Sequence, residues 1–249
     1  MNSPLESLQL EHLRVLSTGA VTHVALARPE RANALNYAHL HDLETLSLAL
    51  RDDEDCRVVV FSGLGKHFSS GADLRDPGPE YQGSLVMQRR RRRIGERAVQ
   101  AVLGIDQITI AAWQGAAVGG GACLATAMDL RVGARGCFMQ YPEIDIGMNL
   151  MWKSLPLIVD LVGPARAKRL VVGGERCTDE TLLEWGVLDE LVPPDQLMDA
   201  ANQLAEVYAA KPPVAAQMIK QSINALCSPT GDAIMHMDVD QNLLTQQKD

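Results

Sequence analysis

The sequence predicts an α/β fold, on two patterns. Short runs rich in β-branched residues that end in turn residues are typical of buried strands, as at residues 57–61 before Ser62-Gly63. Longer segments with apolar residues at helical spacing alternate with these runs, as at residues 37–50. Such alternation is typical of α/β proteins, although a generic doubly wound sheet fits the same pattern.

The elements follow in chain order. Strands are predicted at residues 13–16, 21–26, 57–61, 108–113 and 130–133. Leucines at positions 40, 43, 46 and 50 predict the helix of residues 37–50, and further helices fit between the later strands. The sequence Asp76-Pro77-Gly78-Pro79 indicates a loop. After Gly147 we expect an almost wholly helical chain.

Composition excludes several classes of function. Of the 249 residues, 47% are hydrophobic, which is enough for a sizeable core. The net charge of −8 argues against a general nucleic-acid-binding surface. No stretch of about 20 apolar residues occurs, so we expect no membrane span. Residues 1–6 lack the basic start and apolar run of a signal peptide. Five scattered cysteines without C-x-x-C spacing indicate reduced thiols in a cytoplasmic protein, with no metal site.

Two glycine-rich stretches and one carboxylate carry the candidate chemistry. Residues 69–74 read SSGADL and residues 115–121 read GAAVGGG, and both indicate backbone turns that present N–H groups. Glu143 follows in the apolar sequence Tyr141-Pro142-Glu143. Paired N–H donors beside a carboxylate can stabilise an enolate and move a proton next to it.

Five ordered blocks make the chain resemble the crotonase, or enoyl-CoA hydratase/isomerase, superfamily over nearly its whole length. Residues 27–36 (ARPERANALN) resemble the family pattern RPxxxNAL, and residues 65–74 (GKHFSSGADL) resemble GKxFxxGxDL. Residues 111–121 (AAWQGAAVGGG), 129–132 (DLRV) and 141–143 (YPE) follow at the family spacing.

The resemblance implies repeated β-β-α turns in a spiral core at residues 1–195. It also implies a helical C-terminal region at residues 196–249, the two forming one functional unit. In the family this region builds homotrimers, often stacked as hexamers. Family members also commonly continue beyond the position of Asp249 with a segment that packs near the CoA of a neighbouring subunit.

The resemblance also implies the site residues. The two N–H donors of an oxyanion hole fall on Ala72 and Gly120. Since Asp73 is a good N-cap residue, we expect both donors near helix starts, where free N–H groups favour an anion. The substrate is an acyl-CoA thioester, with no separate cofactor.

Further residues are implied to bind that substrate. The backbone around Glu30, Arg31, Ala32 and Ser70 lines the CoA channel. Asp73 and Leu74 are taken as substrate-binding with the first donor. Trp152 either closes the acyl pocket or packs in the core.

The sequence departs from the two-carboxylate hydratases at two places. Glu143 occupies the position of one family acid, but the other falls on Cys123, whose thiol is a poor substitute for a carboxylate that holds water. The glycine-rich stretch that helps to hold the attacking water is replaced by bulky residues at 150–154 (LMWKS). Both departures argue against hydration.

A single carboxylate suits an isomerase that moves a double bond from the Δ3 to the Δ2 position of an enoyl-CoA. Hydration by Glu143 alone is the alternative, followed by decarboxylation of an acyl-CoA acid and by a non-catalytic acyl-CoA-binding protein. The arginine run at residues 89–93 indicates a solvated helix face, or a basic lip that attracts the CoA phosphates.

Overall fold

The computed structural model describes residues 4–5, 7–76, 78–79, 82–227, 235 and 239–241. It confirms the α/β class with a helical C-terminal part. The strands are β1 (Leu13–Thr18), β2 (Val21–Leu26), β3 (Val58–Gly63), β4 (Ile108–Trp113), β5 (Ala116–Val118), β6 (Leu130–Ala134), β7 (Phe138–Gln140), β8 (Cys177–Thr178) and β9 (Glu190–Val192). The helices are α1 (Tyr37–Ala49), α2 (Leu85–Arg92), α3 (Ile94–Leu103), α4 (Gly120–Thr126), α5 (Leu155–Val171), α6 (Asp179–Glu184), α7 (Leu197–Ala209) and α8 (Pro213–Cys227).

The larger sheet has the strand order β1-β2-β3-β4-β6-β9. Strands β1 and β2 form an antiparallel hairpin, and every other neighbouring pair is parallel. Strand β3 has five residues fully buried or nearly so. Such continuous burial is expected for a parallel strand covered on both faces.

Each face of the larger sheet belongs to a separate core. Side chains at alternate positions, such as Val59 and Phe61 in β3, point into the core that contains α1 and α3. Their neighbours Val58 and Val60 point into the core covered by α7. Because α7 packs on the sheet, it extends the layered core beyond residue 195. The division of the chain at that residue stays a prediction.

The part of the chain after Gly147 is not wholly helical, which corrects the sequence expectation. Strand β9 pairs with β6 at the edge of the larger sheet, and β8 pairs with β7 in a smaller sheet of order β5-β7-β8. These strands of two and three residues are too short to show a period of two. They form because β6 and β7, which are distant in the sequence, supply the hydrogen-bonding partners. Within the described residues, no helix has the length and apolar character to cross a membrane.

Candidate functional site

Three parallel segments end side by side and bring the candidate site residues together. Ser69 bridges Ala117 of β5 in parallel, and β5 pairs in parallel with β7. Beyond the carboxyl ends of these segments lie Ala72, Gly120 and Glu143 respectively. Because parallel strands end at the same edge, residues far apart in sequence become neighbours, as is usual for ligand sites in α/β proteins.

These residues line one cavity of about 110 Å³. Its walls include six residues that the sequence analysis singled out: Ser70, Ala72, Leu74, Gly120, Glu143 and Trp152. Cys123 lines the same cavity, at the position implied for the second family acid. Glu143 is the one carboxylate on this wall within the described residues.

The N–H of Ala72 points away from its neighbouring segment. Leu35 donates its N–H to the carbonyl of Gly71 at 2.7 Å and accepts from the N–H of Asp73 at 3.1 Å. In this parallel bridge the intervening N–H of Ala72 faces the other side, and within the described residues no acceptor is seen for it. An N–H in this position is available to a ligand.

The second glycine-rich stretch lies directly against the first. Gly71 has a φ of 92°, and a Cβ placed on it would lie 3.2 Å from the backbone N of Gly120. Gly120 is the first residue of α4, so its N–H has no acceptor within the helix. The N–H groups of Ala72 and Gly120, neither of which has an acceptor in the described part of the chain, therefore border the same cavity.

Asp73 does not cap a helix, which corrects the expectation of a helix start after Ala72. The described residues after Asp73 form a turn, and the next helix begins at Leu85. The buried carboxylate of Asp73 pairs with Arg28 at 3.0 Å and accepts from the N–H of Arg75 at 3.1 Å. It stabilises the loop that carries Ala72, and its side chain is not part of the cavity wall.

The residues implied to bind CoA adjoin the cavity on the solvent side. Glu30 and Arg31 are exposed on a short 3-10 helix, Pro29–Arg31. The N–H of Ser70 donates to the carbonyl of Ala32 at 2.9 Å. This hydrogen bond joins the end of the 3-10 helix to the loop that carries Ala72. The structure thus places all four residues of the predicted channel side by side, and their contact with CoA stays a prediction.

Glu143 has a carboxyl group that is largely covered. It lies in the 3-10 helix Pro142–Ile146, and its Oε2 atom is buried without a hydrogen-bond partner within the described residues. Burial raises its pKa from 4.5 to about 7, against a smaller lowering by its own backbone N–H. A carboxyl group with this pKa can accept and return a proton near neutral pH.

Trp152 forms part of the cavity wall, and sequence reasoning had left open whether it closes the pocket or packs in the core. A Cβ on Gly120 would collide with the six-membered ring of the indole, and a Cβ on Gly95 would collide with Cε2 and Nε1. The ring therefore lies between α3 and α4, against two residues without side chains. An isolated glycine in a helical pattern was the signal that could have identified Gly95 as a packing partner.

The backbone at Trp152 keeps a glycine-like conformation. Trp152 has a φ of 64° and Lys153 has a φ of 53°, values that bulky residues rarely adopt. The Lys153 ammonium lies 3.4 Å from the buried carboxylate of Glu96, which Arg93 also contacts at 3.1 Å. Sequence reasoning missed Glu96, because its partner Lys153 lies more than fifty residues away in the sequence.

Cys123 is buried beside a buried phenol. Its thiol is 2% exposed, and the nearby Tyr141 hydroxyl is fully buried. Burial raises the pKa of Tyr141 well above its usual value, and the neighbouring Cys123 and Glu143 raise it further. All five cysteines are free thiols. Within the described residues, no group of three His, Cys, Asp or Glu side chains is placed to hold a metal ion.

The arginine run belongs to a surface helix with several ionic contacts. The guanidinium of Arg89 pairs with Asp240, Arg91 donates to the carbonyl of Pro79 at 3.0 Å, and Arg93 pairs with Glu96. These contacts favour a structural role for the arginine run on the surface of α2. Attraction of CoA phosphates by the run stays a prediction.

Comparison with known proteins shows the family of this chain. The profile of the family described as "Enoyl-CoA hydratase/isomerase" matches residues 17–249. The human "Delta(3,5)-Delta(2,4)-dienoyl-CoA isomerase, mitochondrial" is 31% identical over 224 residues, covering 86% of this chain and 68% of the human protein. The "Short-chain-enoyl-CoA hydratase" of Clostridium acetobutylicum is 26% identical over 218 residues, covering 87% and 82% respectively.

Solved structures show the same fold. An enoyl-CoA hydratase/isomerase from Xanthobacter autotrophicus Py2 superimposes with a TM-score of 0.87 at 25% identity, and the match covers 96% of this chain and 88% of that one. The agreement extends over both the layered core and the helical C-terminal part.

Proposed function

Because this chain belongs to the enoyl-CoA hydratase/isomerase family and is an enzyme of that family, we propose that it moves the double bond of a Δ3-enoyl-CoA to the Δ2 position. The observation that carries this proposal is Glu143, the single carboxylate that the described residues place on the cavity wall. The same wall includes Ala72 and Gly120, whose N–H groups have no acceptor in the described part of the chain. One acid that both takes and returns a proton is sufficient for this reaction.

The reaction begins when the ionised carboxylate of Glu143 takes a proton from C2 of the thioester. The electron pair of that C–H bond moves toward the carbonyl, and its oxygen becomes an enolate oxygen. The N–H groups of Ala72 and Gly120 donate hydrogen bonds to this oxygen. Preorganised donors of this kind contribute several kcal/mol in a site that excludes water.

The reaction ends when the protonated Glu143 returns its proton to C4. The double bond then lies between C2 and C3, and the carboxylate is regenerated. A pKa of about 7 suits both steps, because the group is neither too weak as a base nor too weak as an acid. No cofactor takes part beyond the CoA of the substrate.

Hydration requires a group that holds and activates water as well. Cys123 is an apolar and buried neighbour at the position of the second family acid, so it serves this purpose poorly. Leu150 and Trp152 add apolar surface where a glycine-rich stretch would hold water in the two-carboxylate hydratases. The dienoyl-CoA isomerase relative agrees with a double-bond shift, while the Clostridium relative keeps hydration as the alternative.

The proposal includes a homotrimer or hexamer and a cytoplasmic setting. Helix α8 has several large apolar side chains at least half exposed in the single chain, and an assembly would cover them. They are Val214, Met218, Ile219, Ile223 and Leu226. Five free thiols suit a reducing compartment. Light scattering of the purified protein tests the assembly, and a monomer would contradict it.

A substrate panel in deuterated water tests the reaction. Purified protein is offered a 3-enoyl-CoA, a 2-enoyl-CoA and a malonyl-type CoA thioester. We expect conversion of the 3-enoyl-CoA to the 2-enoyl isomer, with deuterium appearing at C4 in proportion to solvent exchange of Glu143. Hydration of the 2-enoyl-CoA without any double-bond shift would instead establish a hydratase.

A further inference from the structure

The cavity beside Glu143 is small for an acyl chain. Its volume of about 110 Å³ is well below the roughly 300–1,000 Å³ that encloses a drug-sized ligand. Trp152 accounts for much of this limit, since its indole lies on the cavity wall and fills the space between Gly95 and Gly120.

The indole is held in place from several directions. It is 7% exposed and belongs to the main hydrophobic core. The carbonyl of Trp152 accepts from the hydroxyl of Ser154 at 3.2 Å, and the next residue, Lys153, pairs with the buried Glu96. Trp152 and Lys153 both have left-handed backbone conformations, and two such residues in succession persist only where packing over-determines them.

Trp152 lies on the wall of the same cavity as the candidate reacting groups. Glu143, the two N–H groups and Trp152 border the same cavity, so the reacting carbons and the indole are within one small space. We propose that Trp152 closes the acyl end of the cavity and restricts the enzyme to short acyl groups. This inference rests on the proposed function, because it assigns the cavity to the acyl part of a CoA thioester.

Variants of Trp152 test the inference. In Trp152→Leu, and in the milder Trp152→Phe, the kcat/KM for a ten-carbon enoyl-CoA should rise relative to that for a four-carbon one. The ratio should change by at least about tenfold, because each methylene admitted to an apolar pocket contributes about 10-fold or more. An equal fall for both chain lengths would mean that the indole only supports Gly120, and would overturn the inference.

Trp185→Leu is the matched control. Trp185 is 9% exposed and lies under the guanidinium groups of Arg166 and Arg169, away from the cavity. Replacing Trp185 also removes a buried indole, so this variant measures the effect of lost packing alone on the two kcat/KM values. The ratio of the two chain lengths should stay at the wild-type value in this control.

A binding series with the wild-type enzyme needs neither a variant nor turnover. Calorimetry with saturated four-, six-, eight- and ten-carbon acyl-CoA should show that affinity stops rising, or falls, beyond the short chains. Affinity that keeps rising to ten carbons would overturn the inference even if the Trp152 variants fail to fold. Failure of the proposed function looks different, because then the wild type shifts the double bond of no 3-enoyl-CoA, whatever its chain length.

Discussion

Glu143 lies so close to Gly119 that a Cβ at position 119 would be 2.7 Å from the carboxyl Oε1. Gly119 also has a φ of 49°, which side chains rarely adopt. Gly119, which precedes the second N–H donor, has no side chain, and the carboxyl group of Glu143 occupies the space that a side chain would need. The glycine-rich stretch that carries the second donor therefore packs against the Glu143 carboxyl group at Gly119.

Gly119→Ala should therefore reduce turnover in addition to the stability that it loses through backbone strain. The carboxyl group can swing away from a new methyl group, but it then leaves the reacting carbons, and a displacement of about 1 Å can cost about 10²-fold in rate. Steady-state turnover and urea denaturation measure the two effects.

The matched control is Gly136→Ala. Gly136 has a φ of 86° with nothing within 4 Å of a built Cβ. It should show the backbone strain alone, roughly 1–2 kcal/mol, and keep its activity. Equal activity of the two variants would contradict the role of Gly119.

Glu143→Gln should abolish turnover while acyl-CoA binding persists. The amide has nearly the shape of the carboxyl group but cannot accept the proton, and loss of a general base typically costs about 10²–10⁴-fold. Stopped-flow assay and calorimetry separate the two properties. Asp145→Asn, which neutralises an exposed acid on the same 3-10 helix, is the control and should be active.

The pH profile should follow the titration of Glu143. Its pKa is raised to about 7, so the base is ionised above that pH and protonated below it. The kcat/KM for a 3-enoyl-CoA should therefore fall about tenfold per pH unit as the pH drops well below 7. A profile that stays flat down to about pH 5 would show that the acting base has an ordinary carboxyl pKa.

Ala72→Pro should lower turnover by about 10²-fold or more, as deletion of one oxyanion donor does in other enzymes. No existing hydrogen bond is lost within the described residues, because the Ala72 N–H has no acceptor there. Ala72→Gly keeps the N–H and is the control. Circular dichroism checks the fold, and a folded proline variant with an unchanged rate would refute the assignment.

Cys123→Ala should leave the double-bond shift within a few-fold of the wild-type rate. The thiol lines the cavity but has no part in a proton transfer by Glu143 alone. The same assays of 3-enoyl-CoA and 2-enoyl-CoA apply. A loss as deep as that of Glu143→Gln would give Cys123 a role in the chemistry and favour hydration.

Much of this site could be predicted without coordinates. Local patterns placed β2 and β4 where the structure has them, since β-branched runs and turn residues act over a few positions. The resemblance to the family placed the two donors on Ala72 and Gly120 and the acid on Glu143. These residues line one cavity because parallel segments end at the same edge.

Tertiary structure alone decided the rest, because it depends on partners far away in sequence. Strand β9 exists through pairing with β6, and Asp73 turned from a predicted helix cap into the ion-pair partner of Arg28. The position of Trp152 depends on Gly95, more than fifty residues earlier. The sequence determined which residues are near the reacting atoms, whereas packing between distant segments determined how much room those atoms have.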